Sequence, residues 1–109
     1  MGINNIKFQF IGGGEIDYFK NKIKKLNLNK IISIEGQISD ELKNQYLVDS
    51  DIFVLPTYAE GQPISILEAM ASGLPIISSI VGSIPEIILE NNGRLITPGD
   101  NDNLLKYLL

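Results

Sequence analysis

The chain has 109 residues, of which 44% are hydrophobic and 20% charged, with a formal net charge of -4. That is the size and balance of one small globular domain, and the acidic excess excludes an extended basic face for nucleic acid or an anionic membrane surface. With no cysteine and no histidine, a disulfide framework, a thiolate nucleophile, the commonest general base and most zinc and iron sites are excluded as well.

Residues 6–11 alternate apolar and polar side chains and run into Gly12-Gly13-Gly14, which predicts a strand closed by a tight turn. From 15 to 28, Ile16, Phe19, Ile23 and Leu26 recur at spacings of three and four, the pattern of an amphipathic helix. Residues 31–35 read as a second strand ending at Gly36. Ser39 opens a second helix, with Asp40 and Glu41 in its first turn, where negative charge suits the helix dipole. Residues 51–55 are almost continuously apolar, so the third strand is expected to be buried on both faces and to end at Pro56. Pro63 fits the first position of a third helix, Gly73 its C-terminal cap and Pro75 its stop. A fourth strand over 75–79, a short helix from Ile84 to about Leu89, a turn at Asn92-Gly93, a strand over 94–96, the loop Pro98-Gly99-Asp100 and a final helix from Asn101 complete the chain.

Strand and helix alternate throughout, which predicts an α/β fold built on a doubly wound parallel sheet. Ligands of such sheets bind beyond the C-terminal ends of the strands. The segments following strands, 12–14, 36–37, 57–64 and 79–85, are therefore the candidate binding loops, all expected at one edge. No repeat, low-complexity tract or linker divides the chain, and no apolar run reaches the roughly 18 residues of a membrane span. The N-terminus lacks the charged-then-apolar pattern of a leader, so the expected compartment is the cytosol.

Glu60, in a Gly/Pro turn, and Glu68, on the helix that follows, are the foremost candidates. Two solvated carboxylates are the alternative. A helix start leaves backbone N–H groups unpaired and can hold a phosphate, while a carboxylate one turn further in can accept from sugar hydroxyls. Phosphate beside ribose is the chemistry of a nucleotide. The triple glycine at 12–14 either admits a phosphate to the backbone or serves the turn alone. It is not a complete dinucleotide fingerprint, because the position of the third glycine is Asp17. Residues 82–86 offer a further helix start at the same edge, with Glu86 as a first-turn charge. Tyr58 is either a base-stacking residue or a packing residue. Arg94 and the lysines at 20, 22, 24 and 25 read as surface charges.

The segment 50–57, Glu60-Gly61, and the run Leu67-Glu68-Ala69-Met70-Ala71 with Gly73 and Pro75 resemble the donor-binding domain of the retaining glycosyltransferases of family four, also called the group 1 glycosyltransferase domain. Residues 11–14, 34–38, 82–86 and 92–96 match further motifs of that family in the same order. The resemblance covers nearly the whole chain. It implies a Rossmann-like domain forming the C-terminal half of a GT-B fold, truncated at both ends, with the acceptor-binding N-terminal half absent.

It also implies roles. Glu60 would act at the donor sugar as the catalytic carboxylate, and Glu68 would accept from the ribose hydroxyls. Backbone groups of Gly61, Gln62, Ile64 and Ser65 would face the sugar and diphosphate. Gly12, Gly13 and Gly14 would border the diphosphate, and Gly36, Gln37 and Ile38 the base. The substrate would be a nucleoside diphosphate sugar with no metal or other cofactor. An Arg and a Lys, on a strand and turn before the segment that starts this chain and not supplied by the residues before Ile6, would meet the leaving diphosphate. The acceptor, a glycan or lipid of cell-surface polysaccharide or glycolipid synthesis, would be held by the other half, in the cytoplasm or at the inner face of the membrane. Gln62 and Pro63 depart from the family's usual residues and leave the sugar open. A non-catalytic nucleotide-sugar-binding module is the alternative. A signalling domain is disfavoured, because Asp51 lies at the start of its strand rather than its end.

Overall fold

A computed structural model describes residues 6–13, 15–58, 64–89 and 91–108. Strand and helix alternate as the sequence predicts: β1 (Phe8–Ile11), α1 (Ile16–Lys25), β2 (Ile32–Gly36), α2 (Asp40–Asp49), β3 (Phe53–Leu55), α3 (Ile64–Ala71), β4 (Ile76–Ser79), α4 (Ile84–Ile87), β5 (Gly93–Ile96) and α5 (Asn101–Leu108). Every strand pairing among them is parallel. The chain forms two compact units, residues 1–43 and 44–109.

In the first unit β1 pairs with β2, bringing Phe8 opposite Ile32 and Phe10 opposite Ile34. These four side chains share one face of the pleat. A cavity of about 360 Å³, lined by Phe10, Ile16, Phe19, Ile23, Ile32 and Ile34 among others, opens between that face and α1. No residue of α1 is buried. The helix stops at Lys25, although the apolar spacing continues to Leu26. Asn27 takes a left-handed conformation, φ 57, and the N–H groups of Asn27 and Leu28 return to the carbonyls of Lys24 and Ile23. This closure satisfies carbonyls that would otherwise be orphaned at the helix end. Ser39 opens α2 as expected: its Oγ accepts from the Leu42 N–H at 3.2 Å.

The second unit has the strand order β3-β4-β5. Two successive right-handed crossovers in that order place α3 and α4 on one face. Ile66 and Ala69 of α3, Ile84 of α4, Ile88 and Leu47 of α2 accordingly cluster on Ile76, with Phe53, Leu55 and Leu95 packed alongside. The opposite face is also covered, since Ile77 and Ile96 are buried and α5 packs against β5. The strand buried throughout is β4. The third strand, expected to be buried on both faces, is only half-buried because it lies at the edge of the three-stranded group. Helix α3 ends as predicted, with Gly73 and Leu74 donating to Met70 and Ala69 in the same closure that ends α1. Helix α4 is only four residues long. Asn92 closes it, accepting from the Leu89 N–H at 2.6 Å and donating to the Ile87 carbonyl at 3.3 Å.

Gly93 shows what the close approach of β4 and β5 demands. A Cβ there would lie 2.3 Å from the Ile76 carbonyl oxygen and 3.0 Å from Ile88 Cγ2. Gly93→Ala is expected to cost about 3 kcal/mol or more of stability in urea unfolding. Asp100 caps α5, its carboxylate accepting from the Asn103 N–H at 3.1 Å and from Asn103 Nδ2 at 2.7 Å. The backbone bond first, and the side-chain bond second, hold this carboxyl below the usual carboxylate range. The cap is therefore fully present above the unfolded value of about 3.9 and is lost as pH falls through the lowered folded value. The Asn103 amide resonance is expected to titrate with a midpoint below that of a free carboxyl, and Asp100→Asn to abolish the inflection.

Candidate functional site

The C-terminal edge of the first unit is built by the turns after β1 and β2. Phe10 and Ile34 are in register, and a bulge then brings Ile11 opposite Gly36. The Gly12 N–H donates to the Gly36 carbonyl at 2.8 Å. Gly13 packs against the next residue: a Cβ there would meet Gln37 Nε2 at 3.0 Å. Gly12, Gly13, Gly36 and Gln37, drawn from sequence segments more than twenty residues apart, are thus brought together, with Ile38 following half-buried before the start of α2. Gly14 lies outside the described residues. Gly12 has φ 135, backbone that a side chain rarely adopts, so its role in the turn is conformational.

The C-terminal edge of the second unit carries the loops after β3, β4 and β5. After β3 the chain turns sharply beyond Pro56, with the Thr57 N–H returning to the Leu55 carbonyl at 3.0 Å. Glu60, Gly61 and Gln62 lie outside the described residues. Ile64 and Ser65 form the exposed first turn of α3, and Glu68 lies one turn further in, half-buried. Helix α3 is fixed beneath this turn by Ile66 and Ala69, both fully buried. Glu68 therefore projects from a rigid element rather than a loop.

The loop after β4 leads to Gly82 and Ser83, which begin α4 with Pro85 in its first turn. Glu86 is an exposed first-turn charge, as read from the sequence. Arg94 is exposed near the N-terminal end of β5, where its Nη1 donates to the Gly93 carbonyl at 2.9 Å. This is the end of the strand away from the ligand edge.

One element of this edge escaped the sequence reading. Tyr58 leans on Gly99 of the loop after β5, where a Cβ would lie 3.0 Å from the tyrosine hydroxyl oxygen. The two residues are far apart in the chain and lie beyond non-adjacent strands. The Pro98-Gly99-Asp100 composition marks a loop and nothing more.

Comparison with known proteins identifies what this edge belongs to. The profile of the group 1 glycosyl transferases matches residues 2–109. The chain is 35% identical to the amylovoran biosynthesis glycosyltransferase AmsK of Erwinia amylovora, covering 94% of this chain and 27% of that protein. It is 38% identical to the Escherichia coli UDP-Gal:alpha-D-GlcNAc-diphosphoundecaprenol alpha-1,3-galactosyltransferase, again over 94% of this chain and 27% of the relative. Among solved structures, Anabaena HepE in complex with UDP superposes with a TM-score of 0.79 at 27% identity, over 94% of this chain and 30% of HepE. The chain belongs to the group 1 glycosyltransferase family. Its fold is that of the Rossmann-like C-terminal domain of the GT-B glycosyltransferases, and it spans little more than a quarter of the length of the two curated relatives. Among the described residues, no helix is long and apolar enough to cross a membrane.

Gly12 and Gly13 separate a conformational requirement from a spatial one. Gly12→Ala is expected to cost about 1–3 kcal/mol. Gly13→Ala meets only the mobile end of Gln37 and is expected to cost less than 1 kcal/mol. Paired denaturant titrations read the difference.

Proposed function

We propose that this chain is the donor-binding domain of a retaining glycosyltransferase. The enzyme transfers a sugar from a nucleoside diphosphate sugar to an acceptor hydroxyl in the synthesis of cell-surface polysaccharide or glycolipid. The observation that carries the reading is the placement of Glu68. It sits one turn inside a helix that begins beyond the C-terminal end of β3, within the run at 67–75 that resembles the family motif. A half-buried carboxylate on a packed helix is suited to accept two hydroxyl hydrogen bonds from a ribose, and the exposed first turn at Ile64 and Ser65 suits the diphosphate. The glycines at 12 and 13 and the turn at Gly36 and Gln37 serve the diphosphate and the base.

In this reading Glu60 meets the donor sugar. As the anomeric bond breaks, the sugar becomes oxocarbenium-like and negative charge grows on the diphosphate, so catalysis lies in stabilising that charge where it develops. The family resemblance assigns that task to an Arg and a Lys rather than a metal. The acceptor half is supplied by the rest of the protein, at the cytoplasmic side, and the present chain alone binds donor without turnover. The names of the relatives make UDP the first nucleotide to test: the E. coli enzyme is named for UDP-Gal, and HepE was solved with UDP.

UDP, GDP and ADP are to be titrated against the protein by thermal shift, because a ligand bound to the folded state raises the melting midpoint by mass action. One of them is expected to do so, and no shift with any of them defeats the proposal. Glu68→Ala is expected to weaken the responding nucleotide by roughly 10- to 100-fold, the worth of about 1.5–3 kcal/mol for hydrogen bonds to a charged group. In the intact enzyme Glu60→Ala is expected to lower kcat for sugar transfer while leaving the affinity for the free nucleotide unchanged. Chelation with EDTA is expected to leave transfer unaffected.

A further inference from the structure

The turns after β1 and β2 meet through two contacts, and the second is made by a side chain. The first is the hydrogen bond from the Gly12 N–H to the Gly36 carbonyl at 2.8 Å. Gln37 follows Gly36, which is left-handed at φ 69, and its side chain folds back over the turn after β1. A Cβ at Gly13 would lie 3.0 Å from Gln37 Nε2 and 3.5 Å from both Cδ and Cγ. The side chain therefore lies along the Gly13 backbone with its amide end nearest, and Gly13 leaves it room by having no Cβ.

Gln37 is exposed, so burial does not account for this placement. Its carboxamide forms no hydrogen bond among the described residues, so internal pairing does not account for it either. What the placement does provide is a donor where one is short. Turns of this kind offer backbone N–H groups to an anion, but the N–H of Gly12 is already committed to Gly36. The Gln37 amide brings another N–H to the same turn. Rotation about its last bond presents either the amide nitrogen or the carbonyl oxygen, and an anion selects the nitrogen.

We propose that the Gln37 side chain, laid over Gly13, donates a hydrogen bond to the diphosphate of the donor nucleotide. The proposal rests on the donor-binding reading above, in which the turn at Gly12 and Gly13 borders the diphosphate. The amide end lies over that turn rather than over its own, and this decides for the phosphates against the base. One residue thus serves two parts of the ligand, its backbone facing the base and its side chain the diphosphate. The contact is an uncharged one, and it is made from a different strand end than the glycines it supplements.

The test titrates the protein with whichever of UDP, GDP and ADP binds it, and with the matching nucleoside, which has the base and ribose but no phosphate. Gln37→Ala is expected to weaken the nucleoside diphosphate about tenfold, as befits one hydrogen bond to a charged group. Nucleoside affinity is expected to stay within about twofold of wild type and the melting midpoint to stay unchanged. Gln37→Glu keeps the shape but sets a carboxylate against the phosphates, and is expected to weaken the nucleoside diphosphate further than Gln37→Ala does. An unchanged diphosphate affinity in Gln37→Ala, or a Gln37→Glu protein that binds as wild type does, overturns the proposal. So does an equal loss for the nucleoside, which would mark the side chain as a base contact.

A second measurement tests the seat of the amide. Gly13→Ala puts a methyl group against Gln37 Nε2 and pushes the amide away from the turn. It is therefore expected to weaken the nucleoside diphosphate in the Gln37 protein and to have little further effect in the Gln37→Ala protein. Equal losses in the two backgrounds show that Gly13 acts without Gln37, and overturn the proposal. If UDP, GDP and ADP all fail to bind the wild-type protein, the donor reading fails and this contact fails with it. If one of them binds wild type and Gln37→Ala equally well, the donor reading stands and only this contact falls.

Discussion

The second unit depends on one constraint, the burial of β4 between two parallel neighbours. Ile76 offers its side chain to α3 and α4, Ile77 points to the other covered face, and Ser78 uses its hydroxyl to hold the Leu55 carbonyl of β3. The backbone of β4 is pressed so closely by β5 that only hydrogen fits at Gly93. With β4 pinned in this way, the ends of β3, β4 and β5 are aligned by their parallel registers. The loops beyond those ends therefore leave the sheet from fixed points. Apolar burial supplies the driving force, and the parallel ladder converts it into position.

The first unit is organised differently. Its helix buries no side chain and its strands face an apolar cavity, so packing contributes less than backbone geometry. At its C-terminal edge two turns meet, held by the hydrogen bond from Gly12 to Gly36. Backbone N–H groups are what such turns present to an anionic ligand.

Much of this was legible in the sequence because local chemistry specified it. Ser39, Gly73 and Pro75 mark helix ends through capping and φ restriction, which operate within a few residues. Apolar alternation and spacing marked β1 and α1, a continuous apolar run marked β3, and proline and glycine signals marked α3 and α4. The errors arose where a non-local or left-handed feature overrode periodicity. Leu26 continues the apolar pattern of α1, but the left-handed Asn27 that follows it closes the helix. The composition of β3 suits a central strand, yet burial depends on strand order, which composition does not encode, and β4 holds the centre. The site divides in the same way. Glu68 and the glycine turns stand out as candidates because the motif surrounding each is contiguous. The contact of Tyr58 with Gly99 spans 41 residues and two strand positions, and no window along the chain contains it.

Asn92 joins the end of α4 to the beginning of β5 through both atoms of one amide. It is followed by Gly93, the neighbour beside which asparagine amides hydrolyse most readily in water. Conversion to aspartate would keep an acceptor for the Leu89 N–H but place a carboxylate oxygen against the Ile87 carbonyl, where an N–H now donates. The usual remedy, replacing the glycine, is closed off by the lack of space at position 93. Such a change would loosen the joint between α4 and β5 at the Ile87 carbonyl.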